Sequence, residues 1–409
     1  MGSGVKKGNW TAGQSALHYE SVGELEMPQR PIKCTIIRGG TSKGVFIERD
    51  ELPPPGPERD RIILAVYGSP DKRQIDGLGG ADKLTSKTAI MGPPTRPDCD
   101  IDYHFGQVNI VLPRIDWTSN CGNISSGAAA YAIYKGYVKP TEPVTRVAVH
   151  QVNTGRRLLA TVPVVDGELA TDGDFKIGGV PGTGARIDLD FQDFAGCILK
   201  RGLLPTGSPV DRFQIPSFGK LDVSVVDVAN LCVFVRASDV GMDNTLGVEE
   251  LQANNELVAL LEAIRSVAAA ETGLVPREKV DEEMRVRVNP LLFIVGTPRN
   301  YSTLNGEAID EGVTDLFSRS IARWAFSKTY PATGSIGTGV ACVLPGTIPA
   351  EAVRGGAPAA GEVRKIRVGH PSGTLEVVAG VSEGGREVVR AEVGRTARVL
   401  MEGTAFIRH

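Results

Sequence analysis

Short runs of β-branched and other apolar residues recur along the whole chain, and glycine and proline separate them. The chain contains 49 Gly and 26 Pro, which lie mainly between these runs. This pattern is typical of many short strands joined by turns. It predicts strands at 34–37, 44–47, 108–112, 144–152, 158–165, 186–191, 221–228, 231–237, 287–295, 365–368, 374–381 and 387–393.

Helical periodicity is weaker than the strand pattern. Apolar residues recur at intervals of three and four only over 248–270, which predicts one amphipathic helix there. A second helix is predicted at 59–67, because Gly68 follows as a C-terminal glycine. Two further segments, 125–135 and 337–344, consist of small apolar residues and are predicted to be helices that pack closely on all sides.

These elements predict a fold of two similar halves. A short helix that is apolar all round must lie inside the protein, and strands that outnumber helices suggest that a sheet wraps it. The length of 409 residues also favours two domains. We therefore predict an α+β fold in which two curved sheets each surround one helix. The two helix N-termini should meet at the seam, and the crossover should lie near 202–207.

Composition narrows the class of protein. The chain has 45 basic and 48 acidic residues, so its net charge of -3 produces no field that attracts nucleic acid or an anionic membrane. Nothing approaches the run of about 20 apolar residues that a transmembrane helix needs. The six cysteines are scattered, which favours free thiols in a reducing compartment. Residues 1–30 lack the apolar core of a signal peptide. We expect a cytoplasmic protein whose first thirty residues form a flexible arm.

The first segment with chemical interest is the motif RGGTSKG at 38–44. A glycine-rich loop between two strands can turn several backbone N–H groups toward an anion. Arg38, Thr41, Ser42 and Lys43 add cations and hydroxyls, which suit a carboxylate. A glycine-rich hairpin with no ligand is the alternative interpretation.

The second segment is DGLGG at 76–80 followed by TSK at 85–87. Lys87 begins a run that becomes apolar, and a lysine drawn partly out of water is a usable base near neutral pH. Gly79 and Ser86 lie beside it in the chain and are candidate substrate contacts. The alternative is a lysine whose amine simply extends from a strand into solvent.

The third segment is Asn120-Cys121-Gly122-Asn123, immediately before a small-residue helix. A thiol at a helix N-terminus experiences the helix dipole and exposed N–H groups, which favour negative charge. Cys121 is therefore the best placed of the six thiols, with Gly122 and Asn123 as candidate anion contacts. An inert, packed cysteine is the alternative.

Other catalytic classes lack support. The five histidines are scattered without metal-ligand spacing, no GxGxxG motif joins a strand to a helix, and GxSxG is absent. We expect no metal and no organic cofactor.

Several motifs, in order from about residue 31 to the C-terminus, resemble the PrpF family. They are KCTIIRGGTSKG at 33–44, DGLGG at 76–80, TSK at 85–87, NCGN at 120–123, LLPTG at 203–207 and LPGT at 344–347. The resemblance implies the diaminopimelate epimerase-like fold, two pseudo-symmetric domains that each wrap a sheet around a central helix, with the active site in the cleft between them. It implies boundaries at 31–204 with a C-terminal strand at about 395–409, and 205–394 for the second domain.

The resemblance also implies roles for individual residues. Lys87 is similar to the proton-abstracting base and Cys121 to an active-site cysteine, while Thr41 and Ser42 would bind a substrate carboxylate. Related epimerases carry a second catalytic cysteine beside the second buried helix. This chain has Ser335, Gly337 and Thr338 there, which disfavours a two-thiol racemase and makes these three residues candidate substrate contacts. The segment 323–330 also differs from the histidine-containing stretch of the family.

The implied function is a cofactor-independent isomerase of a small unsaturated tricarboxylate or dicarboxylate. Cis-aconitate, trans-aconitate or 2-methylaconitate is the expected substrate type, and 3-methylitaconate Δ-isomerase or 4-oxalomesaconate tautomerase activity is the first alternative. An amino-acid racemase or epimerase and a non-catalytic accessory binding protein are the others. A polycarboxylate is the only expected partner, with neither nucleic acid nor membrane, and a homodimer stays open.

Overall fold

The computed structural model describes residues 29–243, 245–359 and 361–408. Most of the predicted flexible arm lies outside the described residues, but Gln29 and Arg30 already belong to the first strand. The described strands are β1 (Gln29–Gly39), β2 (Ser42–Glu48), β3 (Lys87–Gly92), β4 (Ile101–Val108), β5 (Ile115–Asp116), β6 (Val144–Gln151), β7 (Arg156–Val165), β8 (Glu168–Leu169), β9 (Ile187–Asp190), β10 (Asp211–Ile215), β11 (Gly219–Val228), β12 (Asn230–Arg236), β13 (Leu291–Gly296), β14 (Tyr301–Ser302), β15 (Ala308–Ile309), β16 (Leu316–Ala322), β17 (Ala325–Phe326), β18 (Arg364–His370), β19 (Gly373–Val381), β20 (Val388–Arg395) and β21 (Ala397–Arg408).

The described helices are fewer. They are α1 (Pro57–Tyr67), α2 (Gly122–Tyr134), α3 (Val248–Ala253), α4 (Asn255–Glu271), α5 (Val280–Glu283), α6 (Ala332–Val343) and α7 (Ile348–Ala352). Short 3-10 turns lie at Arg49–Glu51, Gln192–Phe194, Ser238–Val240, Arg277–Lys279 and Glu311–Val313. None of the helices in the described part of the chain is long and apolar enough to cross a membrane.

Strand pairing divides the protein into two halves with the same topology. One half pairs its strands in the order β21-β1-β2-β3-β4-β6-β7-β9, and the other in the order β10-β11-β12-β13-β16-β18-β19-β20. In both halves the seven pairings between successive strands of this order have the same directions. The third and fifth pairings are parallel, and the other five are antiparallel. The two halves join where β9 pairs with β20. The fold is thus pseudo-symmetric, and the last strand of the chain completes the first half.

Each half surrounds one buried helix. Helix α2 packs against β1, β2, β21 and the other strands of its half, whereas α6 packs against β11, β12, β19 and β20. Small residues make this enclosure feasible, because a Cβ on Gly127 would lie 2.8 Å from the Phe46 ring and one on Gly339 would lie 2.7 Å from Val377. The predicted fold class is confirmed. On this pairing we propose 31–204 with 395–409, and 205–394, as the two domains.

Two strand predictions are wrong in position. Residues 109–112 are not a strand, because β4 ends at Val108 and the side-chain oxygen of Asn109 accepts bonds from the N–H groups of Val111 and Leu112. This local side-chain bonding favours a turn over a strand. The strand predicted at 287–295 begins only at Leu291.

The helix predictions differ at their boundaries. The segment 248–270 is divided into α3 and α4, because the Asn254 side chain accepts a bond from the Leu257 N–H and caps a new helix. Helix α6 begins at Ala332 rather than at Gly337, with Pro331 as its N-cap residue. The polar turn expected at 333–336 is therefore the first turn of the helix.

Candidate active site

Lys87 and Cys121 meet at the seam between the two halves. Lys87 is the first residue of β3, and Cys121 is the N-cap residue of α2. The Lys87 Nζ lies 3.5 Å from the Cys121 Sγ, and the two residues are only 9% and 7% exposed. The amine also lies 5.4 Å from the centre of the Phe105 ring. An amine and a thiol in contact inside a cavity can exchange protons with one small molecule.

Gln107 holds the Lys87 amine in place. The two residues lie opposite each other in β3 and β4, and the Gln107 Oε1 accepts a bond of 3.1 Å from the Lys87 Nζ. The Gln107 amide nitrogen donates to the carbonyl oxygens of Ser86 and Lys83, at 2.9 and 3.1 Å. These bonds fix which end of the amide faces Lys87. The backbone is held as well, because the Tyr67 hydroxyl donates to the Lys87 carbonyl.

Two helix N-termini point at the same cavity. Gly122 and Asn123 begin α2 and line the cavity, as do Ala332 and Thr333 at the start of α6. No side chain among the described residues caps either helix, so the first N–H groups of each are available to a ligand. The helix dipoles add partial positive charge at this point. The expected meeting of helix N-termini at the seam is therefore present.

Gly122 permits the two helix starts to touch. A Cβ at this position would lie 2.9 Å from the Ala332 Cβ and 3.2 Å from the Thr333 nitrogen. Any larger residue would push the helices apart and displace their N–H groups.

The side chains around the cavity give it a positive potential. Lys83, Lys87 and Arg323 line it, and none of its lining residues within the described chain is acidic. Burial, reinforced by the nearby charge of Arg323, lowers the pKa of Lys83 to about 7. Burial also lowers the pKa of Arg323. Such a cavity favours a ligand with more than one negative charge.

A hydrogen-bonded network connects the RGGTSKG loop with both halves. The Asn123 Nδ2 donates to the Thr41 Oγ1 at 2.9 Å, and the Asn123 Oδ1 accepts from the Arg395 Nε at 2.9 Å. The Thr41 and Thr329 hydroxyl oxygens lie 3.2 Å apart. Burial lowers the pKa of Arg395 to about 10. Asn123 and Thr329 line the cavity, so the network sets the position of its wall.

Comparison with known proteins agrees with this architecture. A model of the PrpF protein family matches residues 29–408. The chain belongs to the PrpF family. The resemblance predicted from the sequence motifs is thereby confirmed, and similar proteins of this family are named as isomerases.

Three relatives show how similar the chain is to known members. It is 44% identical to the 3-methylitaconate isomerase of Eubacterium barkeri, over 93% of this chain and 98% of that protein. It is 36% identical to the 2-methyl-aconitate isomerase of Shewanella oneidensis, over 94% of this chain and 98% of that protein. The crystal structure of a methylitaconate-delta-isomerase superposes with a TM-score of 0.76 at 43% identity, covering 93% of this chain and 96% of the other.

Six residues proposed from the PrpF motifs lie outside the cavity wall, and Thr41, which bonds to Asn123 of the wall, is one of them. The Arg38 guanidinium donates to Gly40 and Thr396, and the Lys43 backbone N–H donates to the Leu84 carbonyl. The Ser86 hydroxyl donates to the Gln74 Oε1. The other two are Gly79, which packs against the Gln74 side chain, and Ser42, whose buried hydroxyl has no hydrogen-bond partner among the described residues.

The residues proposed on the second helix also lie away from the cavity. Ser335 donates its hydroxyl hydrogen bond to the Ala332 carbonyl, and the Thr338 hydroxyl lies 2.8 Å from that of Tyr330. A Cβ on Gly337 would lie 2.4 Å from the Cys232 sulfur, so this face of α6 packs into the core. The expectation that Gly337 and Thr338 start the helix is wrong, and Ala332 and Thr333 occupy that place in this PrpF protein.

Several cavity residues were not identified from the sequence. Lys83 could have been noticed, because it lies in the same polar segment as Lys87. Gln107 and Arg323 gave no signal, since their positions depend on strand register and on the other half of the protein. The motif NCGN also includes Asn120, but only the structure shows that its side chain lines the cavity. Absence of a metal or an organic cofactor stays a prediction.

Proposed function

We propose that this PrpF protein is a cofactor-independent isomerase that transfers a proton within a small unsaturated polycarboxylate. The proposal depends on one observation, the contact between the Lys87 amine and the Cys121 thiol inside a cavity that Lys83 and Arg323 also line. The carboxylates of such a substrate would pair with the charged side chains of Lys83 and Arg323. Removal of a proton from the carbon next to a carboxylate requires a base, which Lys87 supplies.

In the proposed mechanism, Lys87 removes a proton from a carbon next to the double bond. The electron pair that is left delocalises through the double bond into a carboxylate. The N–H groups at the starts of α2 and α6 then stabilise the negative charge, and each donor of this kind can change a rate by about 10²–10³. Any rotation takes place while the electron pair is delocalised. A proton then returns to a carbon, either from the Lys87 ammonium or from Cys121, and in the second case the Lys87 ammonium reprotonates the Cys121 thiolate 3.5 Å away.

A methylitaconate-type dicarboxylate is the first candidate substrate. The relative named for that reaction is 44% identical to this chain, compared with 36% for the relative named for 2-methyl-aconitate. A 2-methylaconitate-type tricarboxylate is the second candidate, because a relative named for that reaction covers 94% of this chain and the described lining of the cavity is basic rather than acidic.

An amino-acid racemase that uses two thiols is less compatible with the site. Pro331 is the N-cap residue of α6, in the position that Cys121 has in α2. Cys121 is also the one cysteine among the described lining residues of the cavity.

The test is incubation of purified protein in deuterated water with methylitaconate, 2-methylaconitate, cis-aconitate and 4-oxalomesaconate, each followed by proton NMR. We expect one acid to lose proton signal at an exchanging carbon and to form an isomer. Proline serves as the control for racemase activity. The proposal fails if none of the four acids exchanges, or if proline exchanges instead.

A further inference from the structure

Lys83 and Arg323 lie between the catalytic cavity and a wider groove. Both residues line the cavity that contains Lys87, and both also line a groove of about 890 Å³ on the other side. Leu84 and Ala322 are the other residues common to the two spaces. These two cations are therefore at the entrance to the site, on opposite halves of the protein.

The Arg323 guanidinium has no carboxylate in direct contact among the described residues, although burial lowers its pKa and the nearby charges of Asp116 and Glu262 oppose that lowering. Within the described residues its guanidinium makes no hydrogen bond and no salt bridge. It lies in the turn between β16 and β17, where Arg323 and Trp324 have φ values of 53° and 63°. Left-handed backbone at two successive non-glycine residues costs free energy, and such strain is concentrated at functional sites.

The turn that carries Arg323 is held from both sides. The Trp324 N–H donates to the Glu262 Oε1 at 2.9 Å, and the Trp324 carbonyl accepts from the Gln252 Nε2 at 3.0 Å. The two partners belong to α4 and α3. The guanidinium is thus presented at the entrance by a braced turn.

Within the described residues, Lys83 also forms no hydrogen bond or salt bridge with a carboxylate. Its Nζ donates only to neutral oxygens, those of the Ala325 and Phe326 carbonyls and the Ser327 hydroxyl, at 3.3–3.4 Å. These long bonds solvate an ammonium but do not neutralise it. Positive charges held near each other and partly out of water are stabilised when an anion binds between them.

The inner wall of the cavity offers further unused polar groups. Asn120 is 4% exposed, and neither its side-chain oxygen nor its side-chain nitrogen has a hydrogen-bond partner in the described part of the protein. The buried hydroxyl of Ser119, beside it, has none either. Buried polar groups almost always have a hydrogen-bond partner. Unpaired polar groups at a cavity wall therefore indicate that a bound ligand forms the missing hydrogen bonds.

We propose that Lys83 and Arg323 form a subsite for the substrate carboxylate that lies farthest from the reacting carbon. The inference rests on the proposed function and assigns the subsite that makes this enzyme select polycarboxylates over monocarboxylates. Arginine suits this role because its planar guanidinium binds a carboxylate through two parallel hydrogen bonds. Asn120 supplies an amide to the same ligand from the inner wall.

The charge of the wider groove agrees with this assignment. Five basic side chains line the groove, including Lys83 and Arg323, whereas Asp82 and Glu249 are its acidic side chains among the described residues. A cleft with excess charge of one sign raises the local concentration of oppositely charged ligands. A polyanion that enters through the groove therefore meets Lys83 and Arg323 before Lys87.

The test uses isothermal titration calorimetry to measure binding of two saturated acids that the enzyme cannot isomerise, the tricarboxylate tricarballylate and the dicarboxylate 2,3-dimethylsuccinate. The variants are Lys83→Met and Arg323→Met. Their matched controls are Lys220→Met and Arg146→Met, which change exposed residues on β11 and β6. Arg323→Lys keeps the positive charge. Affinity retained by Arg323→Lys but lost by Arg323→Met shows that the loss comes from the missing charge and not from misfolding. Circular dichroism checks the fold of all five.

We expect Lys83→Met and Arg323→Met each to weaken tricarballylate binding about tenfold or more, as the loss of a charged hydrogen bond does. Both controls should stay within about threefold of the wild type, and Arg323→Lys should retain more affinity than Arg323→Met. For whichever of the two acids the wild type binds, unchanged binding by folded Lys83→Met and Arg323→Met overturns the subsite, as does a wild type that binds neither acid. Because this measurement needs no turnover, it decides the subsite even if no acid isomerises.

Discussion

The Lys87 amine lies 3.5 Å from the Cys121 sulfur, although the two residues are 34 positions apart in the chain. One residue begins a strand and the other caps a helix, so their contact depends on how α2 is enclosed by its sheet. The start of α6 closes the same cavity from the other half. Both of the proposed reacting groups therefore come from the first half, and the second half contributes the N–H groups at the start of α6.

Replacing Lys87 by methionine should remove turnover while leaving the protein folded. The side chain keeps its length but loses the base, and positioned proton transfer contributes about 10²–10⁴ to a rate. Steady-state kinetics on the acid that the wild type isomerises gives the measurement, with Lys220→Met as the control. Turnover like that of the wild type would exclude Lys87 as the base.

Replacing Cys121 by serine should reduce turnover less than Lys87→Met does, by less than about 10². A hydroxyl is a poorer proton donor than a thiol, but the Lys87 ammonium can still return the proton. The turnover number should be measured from pH 6 to pH 9 in both variants. A loss as large as that of Lys87→Met would mean that the thiol is equally essential, and no loss at any pH would mean that it takes no part in the proton transfer.

Gly122→Ala should destabilise the protein and lower its activity. The added Cβ would lie 2.9 Å from that of Ala332, so the two helix starts must separate. Overpacking of this kind costs about 1–3 kcal/mol. Chemical unfolding gives the stability. Gly384→Ala is the matched control, because a Cβ there meets nothing within 4 Å. Equal stability of the two variants would show that the helix starts have room to move.

Lys83→Met should increase stability, and the gain should depend on pH. In the folded protein the pKa of Lys83 is lowered from 10.5 to about 7 by burial and by the charge of Arg323, with Asp82 opposing and Lys87 and Arg265 adding smaller effects. Below pH 7 Lys83 is protonated in both the folded and the unfolded state. The full free-energy cost of burying its charge then lowers the stability of the wild type. Between pH 7 and 10.5 the unfolded state binds more protons, so the stability of the wild type rises with pH.

The gain from Lys83→Met is therefore expected to be largest at pH 6 and smaller at pH 9. Urea unfolding of the wild type, Lys83→Met and Lys220→Met at both values measures it. A gain that is the same at pH 6 and pH 9 would contradict a lowered pKa for Lys83. A variant that is more stable but binds tricarballylate more weakly would show that the charge serves a ligand rather than the fold.

Local sequence was sufficient for much of the architecture. The small residues of α2 and α6 exclude any arrangement except close packing on all sides, and they predicted two buried helices. The alternation of apolar runs with glycine and proline predicted eleven of the twenty-one described strands, but it gave no prediction for β3, β10, β16 or β21, and it placed a strand at 108–112, where Asn109 forms a turn. The motifs around Lys87 and Cys121 predicted the family.

Tertiary structure alone decided which side chains share the cavity. Gln107 reaches Lys87 because of the register of two antiparallel strands, and Arg323 comes to the cavity from the opposite half. The side chains of Ser335 and Thr338 face the core because α6 begins at Ala332. The sequence has no typical capping residue before Ala332 that would have predicted this boundary. A sequence determines the preferences of neighbouring residues, but contacts between distant residues depend on strand register, helix phase and the packing of the two halves.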